Sequence, residues 1–217
     1  MKQLRSITSL LLLIAGSASM QAQEKAFNKG DFVIDAGANF IYYNNTSTIT
    51  PETGASVIKN EKMTGAVYAA GLEYGLFGWL GVGVKVRYDD YISSVDSITH
   101  LKTSATGYDV IANLNLHLIK TAHLDIPIGV GYGYSGIQYN VPTDTVIGKL
   151  KGQGAIFDIH ADPKLYFGNH FGINFHVAYT YYGYPDVIYN DNKAGTLSTT
   201  HLTATGLNLG VGLQLRF

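Results

Sequence analysis

The chain ends in the stretch Gly206-Leu207-Asn208-Leu209-Gly210-Val211-Gly212-Leu213-Gln214-Leu215-Arg216-Phe217, in which apolar residues alternate with polar or small ones. Successive side chains of a β-strand point to opposite faces of the sheet, so this stretch predicts a strand with one apolar and one polar face. The polar face carries Gln214 and Arg216. A strand in the wall of a membrane barrel meets lipid on one side and a polar interior on the other, and the stretch therefore favours a barrel over a soluble sandwich.

The same period of two recurs in seven further segments of the chain. Each predicted strand reaches the ~9–11 residues with which a tilted strand crosses a bilayer. No window from about residue 23 onward has a persuasive helical period, so we predict an all-β protein. The eight predicted strands cover residues 32–42, 64–76, 80–88, 106–118, 124–134, 155–167, 171–181 and 203–217.

Connections of two lengths alternate along the chain. Three are short, at residues 77–79, 119–123 and 168–170, and four are long and polar, at residues 43–63, 89–105, 135–154 and 182–202. Short turns on one side and long loops on the other are typical of outer-membrane barrels. We therefore predict an eight-stranded antiparallel up-and-down transmembrane β-barrel, with both termini in the periplasm and four extracellular loops.

Aromatic residues gather at the two ends of the predicted strands, where membrane proteins place aromatic belts. The periplasmic belt is predicted to contain Phe32, Tyr74, Phe77, Trp79, Phe167, Phe171 and Phe217. The extracellular belt is predicted to contain Phe40, Tyr42, Tyr88, Tyr108, Tyr132, Tyr134, Phe157, Tyr179 and Tyr181.

Two prolines, Pro127 and Pro163, fall inside predicted strands, where each removes a backbone N–H donor from the sheet. We expect a bulge to absorb them, unless the fifth and sixth strands have other bounds.

The N-terminus has the features of a secretory signal peptide. Lys2 and Arg5 precede an apolar run at residues 10–15 and small residues at 17–22. We predict a signal peptide at 1–22, a short periplasmic segment at 23–31 and the barrel at 32–217.

The charge balance argues against nucleic acid as a partner. Without residues 1–22, 13 of the 15 basic side chains remain against all 16 acidic ones, so nucleic acid is excluded. The chain has no cysteine, which excludes disulfides and lipid attachment at a cysteine.

The alternating strands, uneven connections, aromatic belts and final Phe217 resemble the small eight-stranded outer-membrane β-barrel family, of OmpA/OmpX type. The resemblance covers residues 32–217 and implies a location in the bacterial outer membrane, with outer-membrane lipids and the barrel-assembly machinery as partners. It also implies that Phe217 is the assembly signal. We expect no peptidoglycan-binding domain, since the sequence stops at that residue.

A barrel of eight strands has room inside only for side chains, and buried charges must be paired. We expect Glu73, Asp109 and Asp158 to pair with basic groups across the lumen. If Phe167 pairs with Phe171 at the turn, Asp162 lies opposite His176. A metal site at these groups is a weaker alternative, because no ligand spacing is diagnostic, and we predict neither metal nor cofactor. The predicted lumen network consists of Glu73, Lys85, Arg87, Asp109, Asp158, His160, Asp162, Lys164, His176 and Arg216.

These features predict an envelope structural or surface-interaction protein with a plugged polar lumen. Any extracellular ligand would bind the four loops, but the sequence does not identify it. A narrow porin-like channel for small solutes is the first alternative. A lipid-modifying enzyme is the second. None of the seven histidines has a serine two positions later, which speaks against the His-x-Ser pair of lipid A deacylases, and we expect no enzymatic activity.

Overall fold

The computed structural model describes residues 26–50, 55–92, 104–142, 147–190 and 199–217. The predicted signal peptide at residues 1–22 lies outside them. In this part of the chain, no helix has the length and apolar character needed to cross a membrane. The described residues form nine antiparallel strands: β1 Phe32–Thr50, β2 Val57–Phe77, β3 Leu80–Ile92, β4 Ser104–Lys120, β5 Leu124–Pro142, β6 Ile147–Ala161, β7 Lys164–Phe167, β8 Phe171–Asn190 and β9 Thr199–Arg216.

The strands close into a ring of eight positions. Strands β1 to β6 pair in chain order, β6 pairs with β8, β8 pairs with β9, and β1 pairs with β9 to close the sheet. The short strand β7 continues the line of β6, since both lie between β5 and β8. The predicted eight-stranded antiparallel up-and-down barrel is confirmed, with the sixth crossing divided in two.

The closing seam joins the two ends of the barrel sequence. Its register runs from Val33 opposite Arg216 to Thr50 opposite Thr199. We name the two ends of the barrel after the predicted topology, with the short turns at the periplasmic rim. At this rim, the backbone N–H of Phe217 donates to the carbonyl of Phe32 (2.9 Å), and the N–H of Phe32 donates to the carbonyl of Phe217 (3.0 Å). The last residue of the chain therefore completes the hydrogen-bonded ring, which leaves no strand edge at the seam.

The outer surface of the barrel is apolar between two aromatic belts. The apolar residues of the C-terminal stretch, from Leu207 to Phe217 in steps of two, all point outward and are exposed, as are all the residues predicted for the two belts. On β8 the belts are marked by Phe171 and Tyr181. Ten residue steps on a strand tilted by about 40° correspond to a height of about 26 Å, which matches the apolar band of outer-membrane barrels.

The prediction of four long loops is wrong for most of their residues. The strands continue beyond the extracellular belt, so β1 runs to Thr50, β5 to Pro142 and β8 to Asn190. Asn44 pairs with Lys62, and the ladder extends to Ile49 opposite Val57. The polar composition of these segments indicated loops. A strand, however, forms wherever its backbone finds a neighbouring strand to pair with, and the threonines at the end of β1 favour strands. The tips of the predicted loops at 51–54, 93–103, 143–146 and 191–198 lie outside the described residues.

The two prolines interrupt the sheet in different ways. Opposite Pro127 the register of β4 shifts between His117 and Ile119, which is the expected bulge. Pro163 instead ends β6, so the prediction of one continuous strand over 155–167 is wrong. The carbonyl of Pro163 still accepts a hydrogen bond from the N–H of Phe175 (2.9 Å), which keeps this point of the wall attached to β8.

Candidate functional site

The lumen contains all ten residues of the predicted network, and each of them is buried. They lie on the inward faces of the strands or, in one case, in the link between β6 and β7. Side chains from opposite walls meet across the interior, because a barrel of this size brings facing walls within reach of long side chains. Three groups of contacts can be distinguished, centred on Glu73, Asp162 and Arg87.

The first group lies in the periplasmic half around Glu73. Its carboxylate accepts hydrogen bonds from Lys164 Nζ (2.7 Å), Asn115 Nδ2 (2.6 Å) and His117 Nε2 (3.0 Å). The other ring nitrogen of His117 contacts Asp125 at 2.8 Å. Glu73 and Lys164 are 91 residues apart in sequence and form an ion pair across the lumen. Hydrogen-bonded ion pairs of this kind compensate the cost of taking both charges out of water.

The second group is centred on Asp162. His176 Nδ1 donates to its carboxylate at 2.5 Å, and Lys85 Nζ lies 3.6 Å from it. Phe167 is paired with Phe171, as the predicted turn assumed. In that register Asp162 lies opposite His176, and the two side chains are in contact. This group ties β3 to β8 through the link that follows β6.

The third group surrounds Arg87, which is completely enclosed. Its guanidinium lies 3.1 Å from Asp109, 3.8 Å from Asp89 and 3.9 Å from Asp158. It also donates a short hydrogen bond to the hydroxyl of Tyr182. The one proton of that hydroxyl is shared between Asp109 and Asp89, at 3.1 and 3.2 Å. One guanidinium thus holds three carboxyl groups together in a region without solvent.

The imidazole of His160 connects the three groups. Its Nδ1 contacts Asp158 at 2.7 Å, and its Nε2 donates to the side-chain oxygen of Asn115 at 2.9 Å and lies 4.0 Å from Asp162. Asn115 in turn donates to Glu73. The polar interior is therefore one connected network, and such networks stabilise a unique arrangement when their members are satisfied.

Acidic groups outnumber fixed positive charges in this network. Among the described residues, six buried carboxyl groups face three buried lysine or arginine side chains, apart from Arg216 at the rim. Three histidines contact a carboxylate of this set through Nδ1. The carboxyl groups are Glu73, Asp89, Asp109, Asp125, Asp158 and Asp162, and the histidines are His117, His160 and His176.

Arg216 is buried as predicted but does not pair with the three expected carboxylates. Its Nε and Nη2 donate to the carbonyl of Asn169 at 2.9 and 2.7 Å, in the turn between β7 and β8. Its guanidinium lies 4.9 Å from the ring centroid of Tyr166 and 3.9 Å from Asp31. Arg216 therefore fastens the periplasmic rim and stands apart from the central network.

The extracellular half of the interior is apolar, which the sequence analysis missed. Inward residues of this half form one packed cluster above the Arg87 group. Most of them fall in segments that were predicted to be loops. The period of two in β1 contains the signal, since Ile41 and Tyr43 continue the inward face of Asn39. The cluster consists of Ile41, Tyr43, Met63, Val67, Tyr91, Ala105, Ile111, Ile137, Ile156, Tyr182, Tyr184, Val187, Leu202 and Ala204.

The segment that precedes β1 enters the periplasmic mouth, which the sequence analysis also missed. Ala26 and Phe27 are fully buried, and the ring of Phe27 stacks on His117. The N–H of Ala26 donates to the carbonyl of Thr121 at 2.8 Å. A lone aromatic residue between the predicted signal peptide and the first strand offers no period from which this position could be predicted.

Little space remains inside the barrel. Two cavities of about 20 and about 10 Å³ lie in the lumen, the larger beside Glu73 and Lys85 and the smaller beside Asn39 and His176. Each has room for about one water molecule. In the described part of the chain, no group of three or more histidine, aspartate or glutamate side chains is arranged to hold a metal ion.

Solved structures share this architecture. OprG from Pseudomonas aeruginosa superposes with a TM-score of 0.61 at 15% identity, over 88% of this chain and 97% of that one. Neisserial surface protein A gives 0.54 at 12% identity, over 87% and 100%. The outer membrane protein AlkL, solved in DMPC bilayers, gives 0.54 at 18% identity, over 92% and 95%. No family model and no curated sequence matches the chain.

The structure thus has the fold of small eight-stranded outer-membrane β-barrel proteins. The architectural resemblance that was inferred from strands, belts and connections is confirmed. At these identities the likeness concerns the fold, and function must be argued from the lumen and from the two ends of the barrel.

Proposed function

We propose that the protein is an integral protein of the bacterial outer membrane, with a closed lumen, that acts as a structural or surface-interaction protein of the envelope. The observation that carries this proposal is the filled interior. Paired charges occupy the periplasmic half, an apolar cluster occupies the extracellular half, and Phe27 covers the periplasmic mouth. Hydrated solutes need a continuous path wider than the two small cavities.

Planar-bilayer recording separates this proposal from a narrow channel for small solutes. The purified protein, reconstituted in 1 M KCl, is expected to produce no stepwise currents. A heat-denatured sample of the same preparation serves as the control for contaminating porins. Currents of one unit size that increase with the amount of folded protein, and that are missing from the denatured sample, would contradict the closed lumen.

The extracellular ends of the strands support a role at the cell surface. Beyond Tyr181, β8 continues to Asn190, about 30 Å along the strand. The β1–β2 ladder continues in the same direction, and its side chains Val57, Ile58 and Lys59 are exposed. A paired ladder presents side chains in fixed positions, which reduces the ordering cost when a partner binds.

Surface labelling tests both the location and the orientation. Because the chain has no cysteine, one can be introduced at Lys59 on the extracellular extension or at Lys29 on the periplasmic segment. Both positions are exposed. A membrane-impermeant maleimide is expected to label Lys59→Cys on intact cells, and to label Lys29→Cys only after the outer membrane is permeabilised. The reverse result would mean that the barrel has the opposite orientation.

The proposal includes Phe217 as the assembly signal read by the barrel-assembly machinery. Its backbone completes the seam, whereas its side chain is exposed and free for recognition. Phe217→Ala keeps the backbone pairing and is expected to lower the amount of folded protein in the outer membrane. Phe77→Ala, which removes another exposed aromatic at the same rim, is the matched control. Equal amounts of the two variants would contradict a special role of Phe217.

We propose no enzymatic activity for this barrel. The buried hydroxyl of Ser135 contacts Tyr184 and no histidine among the described residues, so it is not part of a serine–histidine pair there. Mass spectra of lipid A from cells with and without the protein are expected to be identical. A loss or gain of acyl chains that depends on the protein would instead support the lipid-modifying alternative.

A further inference from the structure

A patch of polar side chains covers part of the outer wall, directly beyond the extracellular belt. It lies on β2, β1 and β9, which pair side by side in that order. Its six members point outward and are exposed or partly exposed. We call this patch the polar grid: Lys62 and Asn60 on β2, Asn44 and Thr46 on β1, and Thr205 and Thr203 on β9.

The register of the three strands arranges the polar grid in two rows. Neighbouring strands lie about 4.8 Å apart, and successive residues on one face of a strand about 6.8 Å apart. Strand β1 is paired along both edges at this level, so the side chains of the grid project from fixed positions. The first row consists of Lys62, Asn44 and Thr205, and the second of Asn60, Thr46 and Thr203.

The polar grid begins where the apolar wall ends. In the row below it, Tyr42 of the extracellular belt lies between Thr64 and Leu207. Two residues on a strand tilted by about 40° correspond to a height of about 5 Å. The first row therefore lies about 5 Å beyond the belt and the second about 10 Å beyond it. This is the level at which lipid headgroups replace acyl chains.

The polar grid carries one positive charge and no carboxylate. Lys62 has no ion-pair partner among the described residues, and its Nζ lies 5.9 Å from the ring centroid of Tyr42. Glu61 precedes it on the strand but belongs to the opposite face, where it pairs with Lys59. An anionic group at the headgroup level is therefore the ligand that Lys62 fits.

Other walls differ at this level. On β3, the first outward residue beyond the belt residue Tyr88 is the exposed Asp90, which repels anions. Lys151 on β6 is exposed, but it lies six residues beyond the belt residue Phe157, which corresponds to a height of about 16 Å. A lysine close to the belt is thus a property of the wall that contains the polar grid.

The other five members of the polar grid are amides and hydroxyls. The hydroxyl of Thr46 donates to Asn60 Oδ1 at 2.9 Å, so the N–H groups of Asn60 remain as donors for a ligand. Amides and hydroxyls both donate and accept hydrogen bonds, as the hydroxyls of a sugar do. The grid therefore offers a saccharide several hydrogen bonds beside the one site for an anion.

We propose that the polar grid binds the phosphorylated sugar headgroup of a glycolipid in the outer leaflet. Lys62 binds the phosphate, and the amides and hydroxyls bind the sugar. The acyl chains of the same molecule lie against the apolar wall below, at Phe40 and Tyr42, so a lipid contacts both surfaces at once. The inference rests on the proposed location in the outer membrane with the grid at the cell surface.

Native mass spectrometry of the purified protein measures which lipids stay bound. The protein in detergent is mixed with equal amounts of lipid A, phosphatidylglycerol and a neutral galactolipid. These probes carry phosphate and sugar, phosphate without sugar, and sugar without phosphate. Lipid A is expected to be retained about tenfold more than either of the others. Equal retention of the three lipids would overturn the inference.

The phosphate contact is tested by Lys62→Ala. This variant is expected to lower the retention of lipid A about tenfold, the order expected for the loss of one hydrogen bond to a charged group. Lys151→Ala removes the same charge further from the belt and is expected to retain lipid A as the wild type does. Unchanged retention in Lys62→Ala, or an equal loss in both variants, would overturn Lys62 as the phosphate ligand.

The sugar contact is tested by the double variant Thr203→Val with Thr205→Val, which removes two hydroxyls and keeps the shape of the side chains. It is expected to lower the retention of lipid A and to leave that of phosphatidylglycerol unchanged. Thr106→Val, on the wall of β4, is the control and should change neither. If the double variant lost both lipids equally, or neither, the sugar contact would be refuted.

The outcomes separate this inference from the proposed function. Folding of each variant is checked by heat-modifiable migration, and retention is compared per folded barrel. A failure of the lipid experiments would leave the closed lumen and the orientation untouched. Those are contradicted instead by stepwise ionic currents and by reversed maleimide labelling.

Discussion

The ring of Phe27 stacks on the imidazole of His117, with centroids 3.4 Å apart and planes inclined by 6°. His117 in turn contacts Glu73 and Asp125, so the segment before β1 is attached to the charged network of the lumen. This contact closes the periplasmic mouth with an aromatic ring on a hydrogen-bonded imidazole. It gives residues 26–31 a structural role that their position between the predicted signal peptide and the barrel does not reveal.

Phe27→Ala is expected to destabilise the barrel by about 3–5 kcal/mol, because a fully buried aromatic side chain is lost and a cavity remains. Urea unfolding in lipid vesicles measures the change. Phe32→Ala, which removes a partly exposed ring of the outer belt, is the control, since lipid chains fill the space that it leaves. Equal losses for the two variants would show that the stack contributes nothing.

Glu73→Gln is expected to cost about 3–5 kcal/mol, since it leaves the buried ammonium of Lys164 without its carboxylate. The double variant Glu73→Gln with Lys164→Met removes the unpaired charge and is expected to recover part of the loss. The control is Glu61→Gln, which breaks the exposed Lys59–Glu61 pair and should cost less than about 1 kcal/mol. Equal stability of Glu73→Gln and Glu61→Gln would show that the buried pair contributes no more to the free energy of unfolding than the exposed pair does.

Gly129→Ala is expected to disturb the network, because a Cβ at this position would lie 2.2 Å from Asn115 Oδ1 and 2.4 Å from His160 Nε2. Overpacking of this kind costs about 1–3 kcal/mol. Gly78→Ala is the matched control, since its Cβ would have only Lys120 Nζ nearby, at 3.7 Å. The midpoints of urea unfolding should differ between the variants, and coinciding midpoints would refute the close packing at Gly129.

Val84→Arg is expected to cost about 2–4 kcal/mol, because Val84 points outward midway between the aromatic belts and a charge there would meet the centre of the hydrocarbon layer. Val84→Leu keeps the position apolar and should be nearly neutral. The yield of folded protein in dodecylphosphocholine and in lipid vesicles measures both variants. A well-tolerated arginine would mean that this face does not contact lipid.

Much of the fold could be predicted because one constraint acts along the whole wall. In a bilayer every strand must be apolar outside and paired on both edges, so a period of two in each segment determines which residues face lipid. Val84 and Leu209 both follow this rule, and so do all the belt aromatics. The same pattern overestimated the loops, because residues such as Asn44 continue the ladder where there is no lipid to impose the alternation.

The lumen could be predicted only in part. The period of two assigns Glu73, Arg87 and Asp162 to the interior, but it does not tell which charge meets which. Arg216 turned to the rim at Asn169, and His117 proved to be a partner of both Glu73 and Asp125. The apolar cluster was missed because most of its members lie in segments whose composition indicated loops.

By itself, the sequence determined the wall of this protein: eight crossings, the side of each residue, the belts and the closing strand. All of these follow from residues two positions apart or from the contrast between lipid and interior. Both are visible in the alternation of apolar and polar residues along the sequence. Only the tertiary structure decided the partners in the lumen and the place of Phe27. Those contacts join residues such as Glu73 and Lys164, which become neighbours only when the barrel closes.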